Sequence, residues 1–216
     1  MDFNLARRNM VASQIRTNEV TDPLVIDAMA QVPREQFLPA ARQAQAYVDE
    51  DVFFAEGRWL MEPMVAARLM QLASIQLSDH VLVLPGGSGY LAAVLSHMAS
   101  SVVAVEENPS IREAATRTLG QLGADTVALV PGEVTRGCPS QAPFDVIVFD
   151  GSVAEIPEDI VDQLADGGRC VAVVQHGPIG RATLVERSND RFGQREEFDA
   201  SIPAIAEFIT KPKFVF

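Results

Sequence analysis

The sequence predicts an α/β protein with a mainly parallel, doubly wound sheet and a helical N-terminal extension. From residue 80 onward, short apolar runs alternate with segments of helical periodicity. The apolar runs are nearly continuous, as expected for parallel strands buried on both faces. The first 75 residues instead show helical patterns with irregular joins. Together these observations favour helices on both faces of one sheet, joined by right-handed crossovers.

The strands are predicted from apolar runs that end at turn residues. They cover residues 81–84, 101–105, 126–130, 144–149 and 169–174, with the last strands at 183–187 and within 202–210. Helices are predicted at 2–17, from Pro23 to before Pro33, from Pro63 to 72, at 90–98, from Asn108-Pro109 to Gly120 or Gly123, and at 157–164. We expect one compact domain, with residues 1–75 as the extension and 76–216 as the core.

Composition narrows the function classes. The chain has 216 residues, is 48% hydrophobic and has a net charge of -12, so it can bury a core, and its charge argues against nucleic acid and anionic membrane as partners. Two cysteines are too few for a disulfide framework or a zinc site, and no metal is expected. We find no signal-peptide core and no apolar run long enough to cross a bilayer, which predicts a cytoplasmic protein.

The most informative segment is the glycine turn that follows the first predicted strand of the core. Gly86, Gly87, Ser88 and Gly89 stand where doubly wound sheets bind nucleotides, and the missing side chains let the backbone approach a ligand closely. The second strand ends in Glu106 and Glu107, 19 and 20 residues after Gly87, where a carboxylate can accept hydrogen bonds from ribose hydroxyls. A nucleoside-type pocket is predicted. The alternative is a tight packing turn with two solvated glutamates.

Two ligand classes fit this turn. Residues 87–92 satisfy the dinucleotide pattern G-x-G-x-x-A, which leaves a nicotinamide enzyme as an alternative. The pattern, however, comes after about 80 residues of mostly helical sequence, which disfavours that alternative.

Several longer motifs extend along nearly the whole chain. Residues 28–39 fit the pattern A-M-x-x-V-P-R-E-x-F-x-P, and residues 46–49 fit A-Y-x-D. Further motif residues lie in the opening segment at 10–22, the glycine loop and following helix at 88–95, the fourth-strand entry at 142–145, and the crossover at 156–169. In order and spacing, these motifs resemble those of the protein-L-isoaspartate O-methyltransferase family.

The resemblance implies a Rossmann-like methyltransferase fold and S-adenosylmethionine as methyl donor. It also implies a carboxyl acceptor on an isomerised aspartyl residue of a protein or peptide, as part of protein repair. The donor is then expected at the predicted pocket, against Gly86, Gly87, Ser88, Gly89, Glu106 and Glu107. Glu133 is expected to face the adenine amino group, and Asp150, at the end of the fourth predicted strand, is either a further ligand contact or only a loop cap. Transfer from a sulfonium to a carboxylate depends mainly on proximity, orientation and a dry site.

The departures from the family pattern fall at functional positions. The substrate loop G-x-T-I-S-x-P reads here as residues 57–63, with Trp59 in place of the threonine and Met61 in place of the serine. Neither side chain can replace the lost hydroxyls, although Trp59, Leu60 and Met61 could also simply pack in the core. We therefore expect altered acceptor choice and little isoaspartyl activity.

The donor loop departs as well. An acidic residue of the family pattern is replaced by Val83, its first glycine by Pro85, and its G-D-G after the third strand by Gly132-Glu133-Val134. Two hypotheses remain: a methyltransferase with an altered acceptor, or a methyltransferase-fold protein that binds or interacts without turnover.

Overall fold

The computed structural model describes residues 1–177 and 179–209. Two short strands, β1 Val52–Ala55 and β2 Arg58–Leu60, come first in the chain and pair with each other. The strands of the central seven-stranded sheet are β3 His80–Leu84, β4 Ser101–Val105, β5 Val127–Val130, β6 Phe144–Val153, β7 Leu164–His176, β8 Ile179–Ser188 and β9 Arg191–Ala200. Their order in the sheet is β5-β4-β3-β6-β7-β8-β9, in which β3 to β7 run parallel and β8 and β9 antiparallel. The predicted mainly parallel sheet is thereby confirmed.

The helices are α1 Phe3–Met10, α2 Pro23–Gln31, α3 Pro63–Leu72, α4 Tyr90–Leu95, α5 Pro109–Gln121 and α6 Glu158–Val161. Side-chain caps begin two of them where the sequence indicated: Asp22 accepts from the Leu24 N–H at α2, and Asn108 from the Ser110 N–H at α5. Apolar side chains cover both faces of the sheet. One buried cluster joins the N-terminal helices to the sheet, and the other lies under α6 and the C-terminal segment.

Two predicted elements are wrong in extent. Residues 2–17 do not form one helix, because α1 passes into a π-helical turn at Val11–Ile15 and a 3₁₀ turn at Arg16–Asn18. The helix predicted at 157–164 is only α6, because Leu164 already pairs with Phe144 in the sheet.

The strand predicted within 202–210 is also wrong over its described part. Residues 202–209 form a bridge at Ala204 and a 3₁₀ turn at Ala206–Phe208, and Thr210 lies outside the described residues. Among residues 1–177 and 179–209, the last strand is instead β9, whose largely exposed polar sequence lacks the apolar alternation of a half-buried strand.

A two-stranded hairpin within the N-terminal extension was not predicted. Strands β1 Val52–Ala55 and β2 Arg58–Leu60 pair antiparallel, and Gly57 takes φ +68° in the turn between them. Helix α3 follows directly after the hairpin. None of the helices in the described part of the chain has the length and apolarity that a bilayer crossing needs.

Candidate functional site

The glycine turn forms a tight, buried link between two neighbouring strands. The Gly86 N–H donates to the carbonyl of Val105 at 2.7 Å, so the end of β3 is held against the end of β4. Gly87 and Gly89 have φ of +50° and +85°, which favours glycine, and Gly89 begins α4. Every residue from 81 to 90 is buried. The turn therefore lies at the predicted edge of the sheet, beneath other parts of the chain.

Glu106 follows β4 and has a side chain with no solvent exposure. Its carboxylate accepts hydrogen bonds from the backbone N–H groups of Gly87 at 3.1 Å and Asn108 at 2.9 Å. Glu106 thus stands beside the glycine turn, and its contact with a ribose stays a prediction.

The same carboxylate is also bound by Arg58 from the hairpin. Arg58 Nε lies 2.9 Å from one oxygen of Glu106, and Arg58 Nη2 lies 3.0 Å from the other. Such two-point pairing is the strongest geometry for arginine and carboxylate. Both oxygens of Glu106 are therefore engaged by the protein itself.

Glu207 accepts hydrogen bonds from the neighbouring edge of the Arg58 guanidinium, at 2.7 Å from Nη2, which it shares with Glu106, and at 3.1 Å from Nη1. Burial lowers the pKa of Arg58, but the hydrogen bonds to Glu106 and Glu207 outweigh it, and the net pKa lies above the ordinary value. For Glu207, burial raises the pKa and the hydrogen bond from Arg58 lowers it, with a net lowering. Arg58 is a cation shared between two carboxylates.

The segment that carries Glu207 is fixed to the end of β6. Ser152 donates its N–H to the Pro203 carbonyl at 3.0 Å and its hydroxyl to the Ile202 carbonyl at 3.0 Å. Its own carbonyl accepts from the Ile205 N–H at 2.8 Å. This segment, 202–208, meets the hairpin at Gly57, where an added Cβ would lie 3.2 Å from the Cβ of Ala206.

Asp150 lies within β6, which continues to Val153, rather than after the strand. Its Oδ2 is 3.6 Å from the point where a Cβ on Gly87 would lie, so its carboxyl group faces the glycine turn. Burial raises the pKa of Asp150 to about 7; Arg34 acts against this and Asp51 adds to it.

The space between the hairpin, the glycine turn and the C-terminal segment is very small. It measures about 20 Å³ and is lined by residues that include Asp51, Arg58, Trp59, Met61 and Asp150. Sites for cofactors and drug-sized ligands hold about 300–1,000 Å³.

A larger cleft, of about 450 Å³, lies next to the glycine turn between residues 36–39, α5 and the hairpin. Phe54 and Ser88 line this cleft, and the Phe54 ring also comes within 4.0 Å of the Cβ position on Gly87. The hairpin therefore borders both spaces.

The remaining predicted site residues, Ser88, Glu107 and Glu133, differ in their exposure to solvent. Ser88 is buried, and its hydroxyl oxygen accepts from the Tyr90 N–H at 3.3 Å. Glu107 is exposed, and a hydrogen bond with Glu207 raises its pKa. Glu133 is exposed at the start of a 3₁₀ turn. Their roles toward a ligand stay predictions.

The substrate-loop residues divide between core and surface. Leu60 and Met61 are buried, and the Met61 carbonyl accepts from the fully buried Arg34 at 2.5 Å. Trp59 is 39% exposed and packs edge-on against Phe53, with ring centroids 5.2 Å apart. The core reading is correct for Leu60 and Met61, whereas Trp59 remains at the surface.

Sequence reasoning did not assign a role to Arg58 or Glu207. They are 149 residues apart and meet only in the folded chain. Because no local spacing links a hairpin turn to the C-terminal segment, the sequence carried no signal for their pairing. Arg58 alone could have been suspected of a role in the site, because it lies in a short loop beside the predicted pocket.

Comparison with known proteins decides the family. The family model for protein-L-isoaspartate(D-aspartate) O-methyltransferase matches residues 6–202. The chain belongs to this family. A protein-L-isoaspartate O-methyltransferase of Methanoculleus marisnigri is 38% identical over 83% of this chain and 81% of its own length, and one of Methanoregula boonei is 34% identical over 94% of each.

Solved structures agree with this assignment. A structure named protein-L-isoaspartate O-methyltransferase matches with a TM-score of 0.80 and 26% identity, over 92% of this chain and 65% of that longer chain. A second, from Plasmodium falciparum, described as a complex with S-adenosyl-L-homocysteine, matches with a TM-score of 0.78 and 17% identity, over 93% and 98%. The predictions of the family, its Rossmann-like fold and a methyltransferase are confirmed.

In the conformation described here, the space between Arg58, Asp150 and the glycine turn is too small for an adenosyl group, although the larger cleft reaches the turn at Ser88. The space of about 20 Å³ is too small, residues 85–89 are buried, and both oxygens of Glu106 are bound by Arg58. Three of the predicted ligand contacts, Gly87, Glu106 and Asp150, nevertheless lie next to one another.

Proposed function

We propose that this chain is an S-adenosylmethionine-dependent O-methyltransferase whose donor site lies at the glycine turn. The observation that carries the proposal is the contact between Glu106 and the Gly87 N–H at 3.1 Å, at the carboxyl ends of β3 and β4. In open α/β sheets, ligands bind at this edge. A carboxylate there suits ribose hydroxyls, and Gly87 allows close approach.

Donor binding requires a rearrangement on this proposal. The hairpin must move away from the glycine turn, and Arg58 must release Glu106, before an adenosyl group can enter. Once the site is open, Glu106 orients the ribose, and the apolar surroundings of the turn exclude water. Asp150, which faces Gly87, lies within reach of the same space.

The acceptor is proposed to be a carboxyl group of a protein or peptide, with specificity that differs from isoaspartyl repair. Neither Trp59, which is partly exposed, nor Met61, which is buried, carries the hydroxyl that the family pattern has at its position. A site that loses hydrogen bonds to its substrate discriminates poorly in favour of that substrate. Isoaspartyl peptides should therefore be poor acceptors.

A second candidate is a binding or interaction protein of the same fold without turnover. The closed space beside Glu106 and the apolar, fully buried Val83 favour it. It differs from the first proposal in one respect: no methyl group leaves the donor.

Two measurements on the purified chain test the donor site and the acceptor. Calorimetric titration with S-adenosylhomocysteine tests the donor site, and formation of a base-labile methyl ester on an isoaspartyl peptide, from methyl-labelled donor, tests transfer to that acceptor. We expect weak binding and little ester. If millimolar ligand produces no heat and no thermal shift, the methyltransferase proposal is contradicted. Efficient ester formation on the isoaspartyl peptide would contradict the proposal that the acceptor specificity is altered.

A further inference from the structure

We infer that Arg58 is a built-in competitor of the donor: its guanidinium occupies the position of the ribose diol on Glu106. This inference rests on the proposed donor site at the glycine turn. The hairpin, residues 52–60, and the C-terminal segment, residues 202–208, then act as a latch that closes the site. Donor binding and the Arg58–Glu106 pair exclude each other.

The competition follows from the acceptor capacity of Glu106. Each oxygen of its carboxylate already accepts one backbone N–H, from Gly87 or Asn108, and one nitrogen of Arg58. A vicinal diol offers two hydroxyl donors to two carboxylate oxygens, the same arrangement that Arg58 provides. The backbone N–H contacts can persist in either state, whereas the two-point partner must be exchanged.

Glu207 makes the closed state a contact between distant segments. It binds the Nη1–Nη2 edge of the Arg58 guanidinium, next to the Nε–Nη2 edge that Glu106 binds, and its segment is tied to Ser152 at the end of β6. The Gln175 side chain strengthens that tie by donating to the Ser152 hydroxyl at 2.9 Å. Opening the latch must break the Arg58–Glu207 contact as well as the Arg58–Glu106 pair.

The exchange is energetically reasonable. A buried ion pair gains little net free energy, because the cost of removing both charges from water offsets much of their attraction. Trp59, beside Arg58 in the hairpin, is 39% exposed, so outward movement of the hairpin can return the guanidinium to water. The moving hairpin also carries Phe54 away from Gly87 and joins the turn to the cleft of about 450 Å³.

The test is calorimetric titration of S-adenosylhomocysteine, a donor product without the sulfonium charge, into four proteins. Arg58→Ala should bind at least about ten-fold more tightly than the wild type, because an apparent Kd is weakened by the fraction of closed protein. Arg58→Lys keeps the charge without two-point pairing and should show part of that gain. Arg195→Ala is the matched control: Arg195 also bridges two glutamates, Glu186 and Glu197, but on the exposed strand β9, and its Kd should be unchanged.

Glu207→Gln provides a test that leaves Arg58 and Glu106 in place, and it decides the matter if Arg58→Ala does not fold. Loss of the charged Arg58–Glu207 contact should lower the Kd of S-adenosylhomocysteine about three-fold or more. If the wild type binds S-adenosylhomocysteine and the variants that fold have the same Kd, the competition by Arg58 is overturned. The proposed function survives that result, because the donor product still binds. Absence of binding in every protein overturns both.

Trp59 supplies a readout that is independent of affinity. It is the single tryptophan of the chain and stands next to Arg58. Saturating S-adenosylhomocysteine should shift its emission in the wild type toward that of unliganded Arg58→Ala. Binding without any change in Trp59 emission would contradict the movement of the hairpin.

Discussion

Arg58 binds the fully buried carboxylate of Glu106 through two nitrogen atoms, at 2.9 and 3.0 Å, across 48 residues of sequence. This pair links the hairpin of the N-terminal extension to the carboxyl edge of the sheet. It is the central contact of the site, because it lies where we propose that the ribose of the donor binds. Its strength and its replacement by a ligand are both measurable.

The Arg58–Glu106 pair should show strong thermodynamic coupling. Arg58→Met or Glu106→Gln alone should lower the free energy of unfolding by about 3–5 kcal/mol, since each leaves a buried partner without its counterpart. The double variant should cost much less than the sum. Urea unfolding of all four proteins gives the coupling energy. The exposed Arg195–Glu186 pair is the control and should couple by less than about 1 kcal/mol. Equal coupling in the two pairs would show that Glu106 is not buried in solution.

Asp150 should make stability fall as pH rises. Its pKa is raised from 3.8 to about 7 by burial, so between these values the folded state keeps a proton that the unfolded state has lost. Relative to Asp150→Asn, the wild type should lose up to about 1.4 kcal/mol per pH unit across this window and nothing further above it. Urea unfolding of both proteins across the window checks this. A difference independent of pH would mean that Asp150 is solvated.

Gly87→Val should abolish binding of S-adenosylhomocysteine while the sheet stays folded. The closed state has room for an added Cβ, 3.6 Å from Asp150 and 4.0 Å from Phe54, but the side chain would project where the adenosyl group must approach. The positive φ of Gly87 costs about 1–2 kcal/mol of stability for any other residue. Gly123→Val carries a similar φ, +67°, with no neighbour within 4 Å, and should lose stability but keep binding. Normal binding by Gly87→Val would place the donor elsewhere.

Restoring the hydroxyls of the family loop should raise isoaspartyl activity. Trp59→Thr changes an exposed side chain, so it should cost little stability, whereas Met61→Ser removes a buried thioether and should cost about 2–4 kcal/mol. The double variant should form more methyl ester on an isoaspartyl peptide than the wild type, by about ten-fold. Trp59→Phe, which restores no hydroxyl, serves as the control. Equal ester formation by the wild type, the double variant and Trp59→Phe would show that positions 59 and 61 do not select the acceptor.

The sheet was predictable from sequence because its strands are buried apolar runs between clear turn signals. The glycine turn and Glu106 were predictable for the same reason, since local spacing sets both. The closure of the site was not. Arg58 and Glu207 act through a contact of three separate segments, and their charges are typical of solvated residues until the fold brings them together. The strand β9 escaped prediction because its edge position leaves most of its side chains in water.

A reversible cross-link of the latch tests the central claim most directly. In Gly57→Cys/Ala206→Cys, the two Cβ positions lie 3.2 Å apart in the closed state, slightly below the range of about 3.5–4.5 Å found in disulfides, so a shift of a few tenths of an ångström in the turn allows the bond to form. Binding of S-adenosylhomocysteine should be lost in the oxidised protein and should return on reduction, with the reduced protein binding like the wild type. Equal affinity of the oxidised and reduced forms would contradict the proposal that the closed hairpin and the donor exclude each other.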